Sequence, residues 1–216
     1  MAERKTVTPS ARFAALDRQL LESYRRAWES GAAAAGPYLV CRIGCTECCI
    51  GVFEISGLDA WRLRRGLWAL ALREPQLAAQ VKKRAYEQWR LLQADFPGDR
   101  TTGALAGDEK EREAFCQRFA DLPCPALDPS SGRCLLYKAR PLSCRSFGLP
   151  CRWGAEVLPP CRLNFQGADQ SIVAAATIEC DPQDLEGDIL QALGNPPDTV
   201  VAAALAVGSR APGERE

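Results

Sequence analysis

The sequence predicts a mostly α fold in which helices surround a small, irregular, cysteine-rich core with short β-hairpin pieces. Three observations carry that reading. Apolar residues recur at helical spacing near the start of the chain and again from about residue 57 to 122. Cysteines crowd into two separated stretches, one around 41–49 and one beginning at 124. Residues 123–167 hold seven prolines, four glycines and five cysteines with no long apolar period, so that stretch needs something other than an amphipathic face to order it.

In chain order, Ser10 is the expected cap of a first helix carrying Phe13, Leu16, Leu20, Tyr24, Ala27 and Trp28, with Gly31 as its stop and Ala32 to Pro37 as a weak linker. A cysteine-bearing loop spans Cys41 to Cys49, and Val52 to Ile55 reads as a short strand. One helix is expected from about Gly57 to Arg73. A second opens at Pro75, a residue suited to a first helical turn, and carries Leu77, Val81, Ala85, Trp89, Leu92 and Phe96, completing a helical hairpin. Pro97 to Gly107 is a polar loop, and Asp108 caps a charged helix ending near Leu122. After the irregular stretch, helix signals return at Asp181-Pro182, stop at Gly194, and reappear near Thr199 to Val207 before the chain frays. The expected organisation is residues 1–36 as N-terminal helix and linker, 37–167 as a cysteine-cluster domain with a helical insertion at about 57–122, and 168–216 as a helical tail.

Composition narrows function by exclusion. The 216 residues are 47% hydrophobic, enough for a core without covalent staples. Lys plus Arg equals Asp plus Glu at 27 each, so no global field favours nucleic acid or anionic membrane as a partner. The charged N-terminus lacks an apolar stretch behind it, and no apolar run reaches the roughly 18 residues of a membrane span. The expectation is a cytoplasmic protein, where eleven cysteines point to metal or catalysis rather than disulfides. There is no histidine, which removes the usual general base, the usual catalytic zinc ligand and every Cys-His dyad. No phosphate-binding glycine motif supports a nucleotide.

The metal reading starts from CRIGCTECC, containing Cys41, Cys45, Cys48 and Cys49. Two residues between Cys45 and Cys48 let both sulfurs turn toward one ion. The adjacent Cys48 and Cys49 are expected to point different ways, serving two metals or leaving one to pack. The second group is Cys124, Cys134 and Cys144, with Cys151 and Cys161 as reserve ligands; Cys116 and Cys180, alone in apolar or helical contexts, read as packing residues. Arginine adjoins five cysteines, in Cys41-Arg42, Arg133-Cys134, Cys144-Arg145, Cys151-Arg152 and Cys161-Arg162, and guanidinium groups offset the negative charge of a thiolate-ligated centre. Arg140 and Arg145 are the candidate cofactor contacts, and Tyr137 a donor to a sulfur or to backbone. Glu47 and Glu54 read as solvated or capping carboxylates.

The stretch Cys134, Tyr137, Arg140, Pro141, Cys144, Arg145 and Phe147, preceded by Cys124, together with Cys45, Cys48 and Cys49, resembles the YkgJ-type cysteine-cluster family. That family pairs an early CxxCxxCC motif with a distal cysteine and CxxYxxRPxxCRxF. Here three residues rather than two separate Cys41 from Cys45. The resemblance covers Cys41 to Phe147 and implies chelation of zinc or iron.

An iron-sulfur cluster of the 4Fe-4S type is the favoured expectation over zinc, because scattered cysteines with one close group suit the spread-out irons of a cube. A metal-dependent enzyme is the first rival, since Cys41-x3-Cys45-x2-Cys48 has the spacing of radical S-adenosylmethionine enzymes; Glu47 stands where those carry an aromatic, and no strand-helix barrel follows. Flagellin lysine methylases resemble the same family in their cysteines, which keeps a methyl-transfer role in view. The second rival is an interaction module stapled by structural zinc. The partner, a protein or redox partner, is not named by the sequence.

Overall fold

The computed structural model describes residues 11–207, so the expected Ser10 cap and the terminal fray lie outside the described residues. The chain is mostly α with short paired strands. Helix α1 is Ala11–Ala35. Strand β1, Glu54–Ile55, leads into α2, Gly57–Arg73, and α3, Pro75–Leu92. A two-residue hairpin follows, β2 Gly98–Asp99 and β3 Ala104–Leu105, then α4, Glu109–Arg118. The cysteine-rich half contributes β4 Leu127–Asp128, β5 Arg133–Cys134, α5 Leu142–Ser146, β6 Cys151–Trp153 and β7 Glu156–Leu158. The remainder supplies α6 Gln170–Ala175, β8 Ile178–Glu179, α7 Leu185–Ala192, β9 Thr199–Val200 and α8 Val201–Ala206.

Helix α1 does not stop at Gly31, and the segment read as a linker is helical to Ala35. Gly31 is there for packing. A Cβ at that position would lie 2.5 Å from Ile178 Cγ2, 2.7 Å from Leu149 Cδ1 and 3.0 Å from the Ala176 carbonyl, so only glycine lets the helix seat on β8 and its flanks. The true terminator is Gly36, whose φ of +53° is left-handed and favours glycine. Phe13, Leu20 and Tyr24 bury one face of α1 against Leu142, Leu149, Ile178 and Ile189.

Helices α2 and α3 form the expected hairpin. The Ser56 hydroxyl accepts the Asp59 N–H at 3.3 Å at the start of α2, and Pro75 opens α3. Leu63, Leu67 and Leu70 face Ala78, Val81 and Ala85, with Val201 and Leu205 of α8 in the same core. Each fully buried leucine or valine contributes about 1.5–3 kcal/mol, so the tail helix is part of this core rather than an addition to it. Its strand β9 pairs antiparallel with β1. A third core sets Trp89 against Phe96 and Phe96 against Phe115 edge to face, ring centres 4.8 and 5.5 Å apart. The Asp108 carboxylate accepts the Glu111 N–H at 3.0 Å to start α4. That helix ends at Arg118 rather than near Leu122, because the Phe119 and Leu122 carbonyls turn away to accept N–H groups from Val52 and Gly51.

Replacing Gly31 by alanine in a surface helix would stabilise by about 1 kcal/mol. Here overpacking against β8 outweighs propensity, and Gly31→Ala is expected to destabilise by about 1–3 kcal/mol in urea titration; a gain in stability would contradict the packing.

Candidate metal centre

The two cysteine stretches meet because the helical segment between them is closed at its neck. The Gly51 N–H donates to the Leu122 carbonyl at 2.8 Å and the Cys124 N–H to the Cys49 carbonyl at 2.7 Å. Gly51 takes φ +104°, and a Cβ there would press within 3.2 Å of the Ala120 carbonyl; the close approach therefore selects glycine. On the near side, residues Glu47–Cys49 make a single 3-10 turn. On the far side, β4 and β5 pair Leu127 with Cys134. Their turn is held by the Asp128 carboxylate, which accepts from the Ser130 N–H and the Ser131 hydroxyl. Gly132 of this turn lies against Gly44, so the hairpin tip rests on the first cysteine loop.

Cys144 is presented by α5, whose first N–H, from Leu142, donates to the Asp59 carboxylate at 2.9 Å. Asp59 in turn accepts from Arg62 at 2.7 Å, and Arg62 pairs with Asp17 of α1 at 2.6 Å. Burial pushes the Asp59 carboxyl up and the Arg62 charge pulls it back. A buried charge chain thus fixes α5 against α1 and α2.

Five thiols, of Cys48, Cys49, Cys124, Cys134 and Cys144, are electrostatic neighbours. Cys144 feels Cys124, Cys48 and Cys134; Cys49 feels Cys124 and Cys134 as well as Cys48. The adjacent thiols of Cys48 and Cys49 interact across the 3-10 turn, the Cys49 S–H acting as a weak bond toward Cys48. That bond, together with the Arg140 charge, holds the Cys48 thiol below its ordinary range despite burial. These residues keep partial surface exposure, yet desolvation is the largest cause pushing Cys144 and Cys134 up and Cys124 up to about 12. Backbone N–H groups work the other way: Ala126 and Leu127 donate toward the Cys124 sulfur and Leu136 toward Cys134.

A second group adjoins the first. Cys41 is a neighbour of Cys45, Cys161 and Cys48. Asn164 Nδ2 donates to the Cys41 sulfur at 3.5 Å and to the Gly148 carbonyl at 2.7 Å, while Asn164 Oδ1 accepts the Val40 N–H at 3.0 Å. A Cβ at Gly148 would lie 3.0 Å from the Cys41 sulfur. Nothing in the sequence singles out Asn164, which is buried and holds two remote loops by one amide. Among the described residues, no three His, Cys, Asp or Glu side chains form a ready-made ligand cage; the thiols are neighbours that have not closed on one point.

The arginines divide their work. Arg140 lies over the Tyr137 ring, 4.1 Å from its centre, and its charge acts on Cys48 and Cys134. Its Nε is buried and has no hydrogen-bond acceptor. Arg145 instead donates to the backbone carbonyls of Lys138 at 2.7 Å and Arg140 at 3.2 Å, tying the Tyr137–Ala139 turn to α5. Arg162 pairs with Glu47 across the two cysteine loops. Arg42, Arg133 and Arg152 are exposed. Cys151 and Cys180 sit together elsewhere, and Cys116 is pushed up to about 11 by burial near Glu54.

Clustered thiols beside a half-buried guanidinium make a soft-donor site of the kind that suits zinc or iron. A family model matches residues 40–161, and the chain belongs to that family, CxxCxxCC, described as "Putative zinc- or iron-chelating domain". Searches of curated proteins and of solved structures return no match. Among the described residues no helix is long and apolar enough to cross a membrane.

Removing the Asp59 carboxylate leaves Arg62 with Asp17 alone and the Leu142 N–H without its acceptor. Asp59→Ala is expected to destabilise by about 3–5 kcal/mol in denaturant unfolding, and a loss below about 1 kcal/mol would show that the charge chain does not hold α5.

Proposed function

We propose that the chain carries a thiolate-ligated iron-sulfur cluster, of the 4Fe-4S type, and serves a redox or accessory role with a protein partner in the cytoplasm. Cys48, Cys49, Cys124, Cys134 and Cys144 are the core donors, with Cys41 and Cys45 in the adjoining group and Cys161 beside them. Such a cluster supplies electron transfer when bound.

One observation carries the reading: the buried, unsatisfied Nε–H of Arg140 stands beside Cys48 and Cys134. A buried donor without an acceptor costs about 1–3 kcal/mol, and thiolate sulfur bearing negative charge is the acceptor this neighbourhood offers. The N–H groups donating toward Cys124 and Cys134 favour thiolate in the same way. Protonated, these thiols are costly to ionise; exchange of their protons for a cation supplies the compensating charge. More neighbouring thiols than one tetrahedral ion requires favours a cluster over a single zinc. A reducing compartment keeps such thiols available.

Anaerobic purification followed by iron, zinc and acid-labile sulfide analysis tests this. The expected result is iron with sulfide and a brown absorbance near roughly 400 nm; stoichiometric zinc without colour replaces the cluster by a structural zinc site, and protein without metal overturns both. Cys48→Ser, Cys134→Ser and Cys144→Ser are each expected to lower metal content about tenfold or more, whereas Cys116→Ser, outside the thiol group, should leave it unchanged.

A further inference from the structure

Away from the thiol cluster the structure holds a second, smaller sulfur site. Cys151 starts β6, which runs parallel to β8 with Cys151 opposite Ile178. Cys180 lies two residues beyond Ile178 and so returns to the same face. Both residues are buried, at 5% and 2% exposure, in one apolar cluster, and each thiol is the largest influence on the other, while the Cys151 S–H reaches the Arg152 carbonyl at 3.8 Å. Their surroundings differ. Cys151 lines a cavity of about 330 Å3, whereas Cys180 is not among the residues lining it. Behind Cys180, its carbonyl accepts the Ser23 hydroxyl of α1 at 2.6 Å.

We propose that Cys151 and Cys180 form a reactive dithiol, in which Cys151 is oxidised by a small neutral hydroperoxide entering through the cavity and Cys180 resolves the product to a disulfide.

The chemistry requires an accessible sulfur that readily becomes a thiolate and a second thiol in contact with it. The neighbouring Cys180 thiol holds the Cys151 thiol below its ordinary range against desolvation, and Cys180 is itself pushed up and keeps its proton. In the first step the Cys151 thiolate attacks the distal peroxide oxygen. An S–O bond forms, the O–O bond breaks, and the leaving alkoxide or hydroxide takes a proton to become alcohol or water. Cys151 is then a sulfenic acid, oxidised by two electrons that the peroxide has accepted. In the second step Cys180 sulfur attacks Cys151 sulfur, the S–S bond forms, the S–O bond breaks, and the hydroxyl departs with the Cys180 proton as water. An external dithiol reverses the state by exchange, itself becoming a disulfide.

The cavity also selects the oxidant. Its wall carries Glu54, Asp59, Glu186 and Asp198 and no lysine or arginine. Arg62 offsets Asp59 and Arg112 offsets Glu54, which leaves Glu186 and Asp198 to repel an anionic oxidant such as a glutathione-type disulfide, while a neutral peroxide is not repelled. Helix α5 forms part of this wall through Ser143 and Ser146 and also carries Cys144, so the two sulfur sites lie on one short element without sharing a thiol.

The test uses the full-length, metal-loaded protein. After brief hydrogen peroxide treatment, free thiols are alkylated in denaturant, and tryptic peptides are mapped by mass spectrometry. The expected product is a cross-link between peptide 146–152 and the peptide beginning at residue 163, which carry Cys151 and Cys180, reversed by dithiothreitol. Cys180→Ser should trap Cys151 as a dimedone-reactive sulfenic acid, and Cys151→Ser should leave Cys180 alkylatable. Oxidised glutathione is expected to form the cross-link at least about tenfold more slowly than peroxide at equal concentration. Persistent alkylation of Cys151 after peroxide, or a cross-link from Cys151 to any cysteine of the metal cluster, would overturn the proposal. Equal rates with the two oxidants would overturn its neutral selectivity.

Discussion

The backbone hydrogen bonds at the neck of the helical segment are the constraint on which the rest of the molecule depends. Gly51 to Leu122 and Cys124 to Cys49 convert two distant cysteine stretches into one neighbourhood. Closing so long a loop costs little more entropy than closing a short one, because the cost grows only with the logarithm of length. The helical segment in turn packs α2, α3 and α4 with α8 into two cores, so the neck is held from behind by packing. Without that backing, the thiols would have no reason to meet.

Bringing them together creates an electrostatic problem that the site is built around. Desolvation and mutual repulsion oppose ionising Cys124, Cys134 and Cys144, yet backbone N–H groups favour the thiolate at Cys124 and Cys134, and Arg140 favours it at Cys134. A metal ion reconciles these pressures, since it replaces protons by charge at the one place where negative charge gathers. The first helix contributes at a distance. Through Asp17, Arg62 and Asp59 it steadies the N-terminus of α5 and with it Cys144, although α1 lies outside the residues matched by the family model.

Much of the helical frame was legible in the sequence because its signals are local. Asp108 before α4 and Pro75 at the start of α3 mark boundaries by backbone chemistry alone. Where the reading missed, the deciding contact was remote. Gly31 looks like a helix stop, but its lack of a Cβ serves Ile178 and Leu149. Helix α6 is too short to show a period, and strands of two residues cannot display alternation. The cysteine spacing around Cys45 to Cys49 and the stretch from Cys134 to Cys144 pointed to Cys48, Cys49, Cys134 and Cys144, thiols that the fold makes neighbours. The role of Asn164 at Cys41, the partnership of Cys151 with Cys180 and the unsatisfied Arg140 are all products of folding, with no sequence spacing to announce them.

A bound metal would supply order to the irregular half, where turns and two-residue strands repay little of their own ordering entropy. Hydrogen exchange on the metal-loaded protein, before and after chelation under reducing conditions, addresses that claim most directly. Amides between Cys124 and Cys144 should lose protection on metal removal, while those of α2 and α3, whose apolar faces are buried against each other, should keep most of theirs. Equal protection between Cys124 and Cys144 with and without metal would contradict it, and the thiols would then be packed by the fold alone.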